Sequence, residues 1–340
     1  MEWFEQITGF RETSHQETQA RLVVEDGRLV RVGAGHSYAV GALSLPSLAE
    51  LRAAAAAVAL PGRLRLSIAE GDVRKMHGAP ENRGALFQVA SQFNLLEMPG
   101  FDITPEDGVT GYAHDHTQGP ACAMAAGAAT IYRNYLVPVG DGIGQTADRQ
   151  LDALADLGSA LAERLGTEVE ALWTMRNGYA LPTRDGLAQI GAYLKAADAA
   201  ELDALRGLLR VGLHADVEVT DGAAPGPLVS QVFASALPVA YGRHPALTWA
   251  PFARLVQEAA YEATLLAGVL NAARGSSNRA LLTRLGGGAF GNDDAWIHEA
   301  MLRALWLAAE RELNVVIVSY RSPSQELRDL VQASGFAAVE

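Results

Sequence analysis

The sequence has little cysteine and little positive charge. Cys122 is its one cysteine, which rules out an internal disulfide framework and is typical of a reducing compartment. The 27 basic residues are outnumbered by 39 acidic ones, and the net charge is -12 at pH 7. General attraction to a nucleic-acid backbone or an anionic membrane therefore cannot drive binding, and any phosphate ligand must be held locally.

Long apolar runs are also missing, and we expect no leader sequence. No apolar run approaches the ~18 residues that a membrane-spanning helix needs. Residues 1–10 contain Glu2 and Glu5 and show neither the basic nor the apolar region of a signal peptide. We therefore expect a cytoplasmic monomer with no membrane or nucleic-acid partner. Of the 340 residues, 49% are hydrophobic and 19% charged, which is ample for a sizeable core.

The order of the elements predicts an α/β fold. Strand candidates alternate with helical patterns from residue 228 to 325. Residues 1–62 are predicted as an N-terminal extension, with a strand pair around Glu25-Asp26-Gly27 and a helix opened by the capping box of Ser47 and Glu50. Residues 63–340 form the main domain. Residues 141–226 are an insertion with two helical patterns and a short strand at 217–220, which either recognises a partner or braces the fold.

A glycine loop is the strongest single motif. The segment Gly286–Asn292, GGGAFGN, lies between a strand candidate and a helix. Unobstructed backbone amides at a helix N-terminus favour a phosphate without needing Lys or Arg. The alternative is a tight turn or a helix cap.

From about Arg63 onward, the chain resembles a macrodomain, a fold that binds ADP-ribose, with an insertion. Gly71-Asp72-Val73 stands where the family has a Gly-Asp-Ile/Val step whose aspartate accepts the adenine amino group. Ser91-Gln92-Phe93-Asn94 stands where the family has an Asn-Ala-Ala-Asn step, whose last asparagine faces the distal ribose. Of that step, this chain retains only the final residue, Asn94. The family's first loop corresponds to 105–120, and its second to the glycine loop, with Phe290 on the distal ribose.

The resemblance covers about 63–135 and 228–325 and implies a three-layer α/β/α macrodomain with a mixed central sheet. ADP-ribose would then be ligand or product, with no cofactor required and no metal. The implied ligand contacts are Asp72, Val73, Asn94, Gly108, Val109, Tyr112, Gly286, Gly287, Gly288, Ala289, Phe290, Gly291 and Asn292. Three of these residues have a structural alternative. Asp72 could be a turn residue, Phe290 a core residue and Tyr112 an anchor of the first loop.

Hydrolysis at the ribose anomeric carbon needs a carboxylate that activates water beside an oxocarbenium-like centre. The first loop and its approach are dense in acids. We select Asp107 and Asp293 first, then Glu97, Asp115 and Asp294. One member of the Asp293-Asp294 pair is also expected to cap the following helix.

The acidic first loop resembles that of the MavL-type macrodomains, which remove ADP-ribose from arginine. A carboxylate cluster suits a guanidinium leaving group. The predicted function is therefore hydrolysis of mono-ADP-ribosylated arginine on proteins. The alternatives are an ADP-ribose reader without catalysis, and a hydrolase of ester-linked or nucleic-acid-linked ADP-ribose or of O-acetyl-ADP-ribose. His114-Asp115-His116 is a weak metal alternative, because its spacing matches no usual ligand pattern.

Overall fold

The structure, a computed structural model, describes residues 1–33 and 35–339 and alternates strands with helices along most of the chain. The strands are β1 (Val23–Glu25), β2 (Arg28–Val30), β3 (Ser37–Ala39), β4 (Ala42–Ser44), β5 (Arg65–Glu70), β6 (Leu86–Ala90), β7 (Pro138–Val139), β8 (Gly142–Ile143), β9 (Trp173–Arg176), β10 (Tyr179–Pro182), β11 (Gly212–Glu218), β12 (Leu228–Ala234), β13 (Arg279–Leu282) and β14 (Asn314–Ser319). The helices are α1 (Trp3–Thr8), α2 (His15–Arg21), α3 (Leu48–Ala56), α4 (Val73–His77), α5 (Gln118–Ala125), α6 (Gly127–Tyr135), α7 (Ala155–Leu165), α8 (Val169–Leu172), α9 (Arg184–Ala196), α10 (Ala199–Leu208), α11 (Ala246–Ala273), α12 (Asp294–Leu307) and α13 (Gln325–Ser334).

Seven strands form the central sheet, in the order β4-β11-β12-β6-β13-β14-β5. The five strands from β12 to β5 are parallel, whereas β11 and β4 are antiparallel to their neighbours. The parallel strands are short apolar runs such as Asn314–Ser319, as expected of strands covered on both faces.

Side chains on β6 show that helices cover both faces of this sheet. Successive residues of a strand point to opposite faces. Phe87 stacks on His77 of α4, with ring centroids 3.8 Å apart, whereas the amide of Gln88 donates to Thr264 of α11 at 3.0 Å. The predicted α/β class, with a mixed sheet between two helical layers, is confirmed.

The N-terminal 62 residues contain more than the predicted strand pair and helix. The turn at Asp26-Gly27 and the capping box of Ser47 and Glu50 form as predicted. In addition, α1 packs a second apolar core against α6, and β4 pairs with β11 to extend the central sheet. The extension is therefore built into the fold.

The predicted insertion differs at its C-terminal end. The short strand expected at 217–220 is the seven-residue β11, which lies in the central sheet. Ahead of it, the second helical pattern is split into α9 and α10, because the Asp198 side chain accepts from the Glu201 amide and starts a new helix. The inserted part also holds the hairpin of β9 and β10, whose Asn177-Gly178 turn was missed in the sequence.

Candidate active site

A cleft opens where the parallel strands end. One residue that lines it follows each strand: Asp72 after β5, Ser91 after β6, Ala236 after β12, Thr283 after β13 and Tyr320 after β14. Open α/β sheets bind ligands at the carboxyl ends of their strands. The cleft is thus in the place that the topology favours.

The cleft has two lobes that meet. The glycine lobe contains Glu97 and the loop around Gly288, and encloses about 760 Å³, including space open to solvent. The aspartate lobe contains Asp72 and encloses about 930 Å³ on the same terms. Four residues line both lobes and join them: Asp115, Thr117, Gln118 and Thr283.

Residues with free backbone amides line the glycine lobe. Gly286, Gly288, Ala289 and Phe290 line it, and across residues 1–33 and 35–339 their amides donate no hydrogen bond. The Gly286 φ is 78°, and a Cβ there would lie 2.5 Å from the Cβ of Ala236. A side chain would therefore both strain the backbone and close the loop. Free amides in a turn of this kind are suited to phosphoryl oxygens.

The rest of the glycine loop has a structural role. Gly287 donates to the Arg284 carbonyl just before the loop and Gly291 to the Gly288 carbonyl within it, each at 3.0 Å. Asn292 is buried; its amide donates to the Gly286 carbonyl at 2.9 Å and its side chain to the Leu237 carbonyl at 2.8 Å. These residues shape the loop and do not line the lobe.

The helix that follows the loop does not offer its N-terminus to the cleft. Asp293 is its cap and accepts from the Ala295 amide at 2.8 Å. Asp294 is exposed and paired with Arg284. The capping role predicted for one of these acids falls to Asp293. Since neither carboxylate lines either lobe, the structure does not bring them to the site as catalytic groups.

Glu97 is the buried acid of the glycine lobe, with 1% of its surface exposed. Its Oε1 lies 3.4 Å from Nη2 of Arg133, and its Oε2 has no hydrogen-bond partner within the described residues. Burial raises the pKa of Glu97 from 4.5 to about 7, against the opposing effects of Arg133 and Tyr112. A carboxyl group that exchanges its proton near neutral pH is suited to general acid or base chemistry.

Arg133 of α6 holds this acid in place. It is fully buried, its Nε donates to the Leu95 carbonyl at 3.1 Å, and its guanidinium lies 3.7 Å from the ring centroid of Phe233. Nothing in the sequence near Glu97 points to this partner, which is 36 residues away.

Asp115 lies where the two lobes meet. One of its oxygens accepts from the Thr117 amide at 2.8 Å, and the carboxylate is half-exposed. Beyond it, α5 starts close to Glu97: a Cβ on Gly119 would lie 3.1 Å from Cγ of Glu97 and 2.1 Å from the Ala90 carbonyl. Glycine is therefore required where the helix approaches the end of β6.

The aspartate lobe contains the predicted Asp72 and Val73. One oxygen of Asp72 accepts from the Arg74 amide at 2.9 Å and caps α4, as a turn residue would. The other oxygen makes no hydrogen bond within the described residues. Tyr320, 73% exposed, lies on the same lobe and was missed in the sequence, although it directly follows the Asn314–Ser319 strand.

Several predicted site residues lie outside both lobes. Asp107 is exposed and accepts from the backbone amide and the hydroxyl of Thr104, at 2.8 and 3.1 Å. The amides of Val109 and Thr110 donate to Glu12 at 2.8 and 2.7 Å, and Gly108 packs against the same carboxylate. The stretch of the first loop at 107–110 is therefore bound by the N-terminal extension, away from the cleft.

Tyr112 and Asn94 support the site from behind. The Tyr112 hydroxyl accepts from the Glu97 amide at 3.1 Å, which is the anchoring alternative for this residue. Asn94 is fully buried, accepts from the Leu96 amide at 3.1 Å and donates to Gln150 at 2.8 Å. Ser91 and Gln92, and not Asn94, line the glycine lobe.

Among residues 1–33 and 35–339, no group of three or more His, Cys, Asp or Glu side chains is arranged to hold a metal, and this includes the residues around His114-Asp115-His116. In the same residues, no helix combines the length and the apolar character needed to cross a bilayer. Cys122 is fully buried, as expected of a packed thiol.

The comparisons with known proteins yield structures only. No family model and no curated protein sequence matches the chain. Poly(ADP-ribose) glycohydrolase from Thermomonospora curvata, bound to the inhibitor ADP-HPD, is 15% identical over 95% of this chain and 97% of that one, with a TM-score of 0.44. The Deinococcus radiodurans enzyme in complex with ADP-ribose is 13% identical over 85% and 91%, also with a TM-score of 0.44. Because both scores are below 0.5, the function of the cleft has to be inferred from this chain's own residues.

Proposed function

We propose that the chain binds ADP-ribose in the cleft and hydrolyses the glycosidic bond at the distal ribose, with mono-ADP-ribosylated arginine on proteins as its substrate. One observation carries the proposal: a single cleft holds Asp72 at one end, free amides of a glycine loop at the other, and a buried acid with an unpartnered oxygen beside that loop. Asp72 is suited to the adenine, the free amides to the diphosphate, and the buried acid to the anomeric carbon of the distal ribose.

The ligand is placed by the chemistry of each lobe. The free oxygen of Asp72 accepts the adenine amino group, and the exposed ring of Tyr320 provides an apolar face for the base. The diphosphate lies against the amides of Gly288, Ala289 and Phe290, where the positive ends of the peptide dipoles compensate its charge. The distal ribose then lies in the glycine lobe, with Glu97.

Glu97 is proposed to act as the general base in its ionised form. The C–N bond between ribose and guanidinium breaks, and its electron pair leaves with nitrogen as a neutral guanidine. Water adds to the oxocarbenium-like carbon, and its proton passes through Glu97 to the departing guanidine, which becomes guanidinium again. Asp115 faces the same space and stabilises the positive charge that develops on the ribose.

Arginine is favoured as the modified residue because two carboxylates, Glu97 and Asp115, line the lobe where the leaving group departs. A guanidinium is attracted by them, whereas a carboxylate or phosphate leaving group is repelled. Electrostatics therefore favours arginine-linked ADP-ribose over ADP-ribose linked to a carboxylate or a phosphate.

The test has two parts. Calorimetry with ADP-ribose should detect binding to the wild type and weaker binding to Asp72→Ala, by about tenfold for one lost hydrogen bond to a charged group. Release of ADP-ribose is then measured from arginine-linked, glutamate-linked and nucleic-acid-linked substrates and from poly(ADP-ribose), with wild type and Glu97→Gln. Binding without release from any substrate identifies a reader, and absence of binding contradicts the proposal altogether.

A further inference from the structure

Three aromatic rings line the glycine lobe on the side of its loop. Tyr179 comes from β10, Tyr241 from the segment after β12, and Phe290 from the glycine loop. Their ring centroids are 5.3 Å apart for Tyr179 and Tyr241, 5.3 Å for Tyr179 and Phe290, and 5.7 Å for Tyr241 and Phe290. Tyr241 and Phe290 are half-buried, so part of each ring remains open. We call these three residues the aromatic wall.

The insertion fixes the wall next to the buried acid. The Tyr179 hydroxyl donates to the carbonyl of Met98 at 2.9 Å, one residue beyond Glu97. The carbonyl of Gly178, in the hairpin turn, accepts from the Phe93 amide at 2.9 Å, and Asn177 donates to the Phe101 carbonyl at 2.7 Å. The β9–β10 hairpin thus has a place at the cleft as well as in the body of the insertion.

The chemistry of this lobe is uncommon for a site that holds an anion. Aromatic faces attract cations, most strongly planar ones such as guanidinium when water is excluded. The carboxylates of Glu97 and Asp115 line the same lobe. Its one Arg, Arg284, is already paired with Asp294. A delocalised cation would therefore be stabilised on its face by the wall and on its edge by the acids.

We propose that the aromatic wall is the leaving-group subsite, which the insertion completes and which selects a guanidinium over a neutral or anionic leaving group. This rests on the proposed function, since it assumes that ADP-ribose occupies the cleft.

The experiment measures binding, so it does not depend on turnover. ADP-ribosyl-agmatine and ADP-ribose are titrated separately into full-length Glu97→Gln, and the ratio of their dissociation constants measures the contribution of the agmatine group, whose guanidinium is attached to the ribose. We expect ADP-ribosyl-agmatine to bind about tenfold more tightly, the gain of a desolvated cation–π contact. Tyr241→Leu, added to the same background, should abolish the preference, while Tyr241→Phe should keep it because the ring remains.

Tyr193→Leu is the matched control. Tyr193 is a tyrosine of the insertion whose hydroxyl donates to Glu201, and it lines neither lobe. The control should retain the preference. Equal affinities for the two ligands in the background protein, or a preference that survives Tyr241→Leu, would overturn the subsite. If neither ligand binds, the proposed function fails with it, whereas binding of ADP-ribose without a guanidinium preference refutes the subsite alone.

Discussion

Replacing Glu97 with Gln tests the site most directly, because activity and stability should change in opposite directions. Glutamine keeps the shape of the side chain and removes its charge. Loss of a general base lowers kcat by about 10²- to 10⁴-fold. With Glu97 present, kcat should rise with pH through about 7, since the ionised form is the active one and burial raises its pKa to that value.

The effect on stability follows from the same pKa. Because the folded pKa is raised from 4.5 to about 7, Glu97 stabilises the fold fully below 4.5, and this stabilisation is lost as the pH rises to about 7. The loss is about 3 kcal/mol, at about 1.4 kcal/mol for each tenfold change in proton affinity. The amide introduced by Glu97→Gln cannot ionise, so the variant avoids this loss. At pH 8 the variant should therefore be more stable than the wild type, and at pH 4 the two should be nearly equal.

The assay is urea unfolding of both proteins at pH 4, 6 and 8, beside a pH profile of ADP-ribose release. An opposing effect exists: Arg133 loses its ion pair, and breaking a buried pair can cost about 3–5 kcal/mol. Desolvation is the larger of the two influences on Glu97, and the single contact with Arg133 is long, at 3.4 Å. A variant that is less stable than the wild type at pH 8 would show that the ion pair dominates and would refute this account.

Three further substitutions separate the cleft from its supports. Gly119→Ala should lower the stability by about 1–3 kcal/mol and should also lower kcat, because its Cβ would lie 2.1 Å from the Ala90 carbonyl beside Glu97. An unchanged thermal unfolding temperature would contradict this. Asp107→Asn should leave kcat/KM within about twofold, as for an ordinary surface change, and a large loss would restore Asp107 as a catalytic group. Glu12→Ala should cost about 3 kcal/mol and expose the first loop to limited proteolysis, since it removes the acceptor for two backbone amides and the Tyr135 hydroxyl; retained protease resistance would count against it.

Local patterns in the sequence predicted the elements well. The capping box at Ser47 and the turn at Asp26-Gly27 each depend on neighbours in the chain, and each forms where expected. The glycine loop belongs to the same class of signal. Its function as a cradle for an anion remains a prediction.

The sequence could not show which acids line the cleft, because burial is a property of the whole fold. Asp107 was selected from the dense set of acids in the first loop, yet it is exposed and hydrogen-bonded to Thr104. No residue close to Glu97 in the sequence indicates that this carboxyl group is buried. Its burial comes from Arg133 on α6 and Tyr112 on the loop, at sequence separations of 36 and 15. Tyr179 had a usable signal, because Asn-Gly between apolar residues predicts a hairpin.

The pairing of β4 with β11 limits how the chain can be shortened. Without the first 46 residues, the antiparallel edge at Leu213, His214 and Ala215 would lose its partner strand and present unpaired amides and carbonyls to other molecules. Such an edge invites strand addition and self-association. A fragment trimmed to the portion that follows residue 46 should accordingly precipitate or form larger species, and its poor behaviour would say nothing about the chemistry of the cleft.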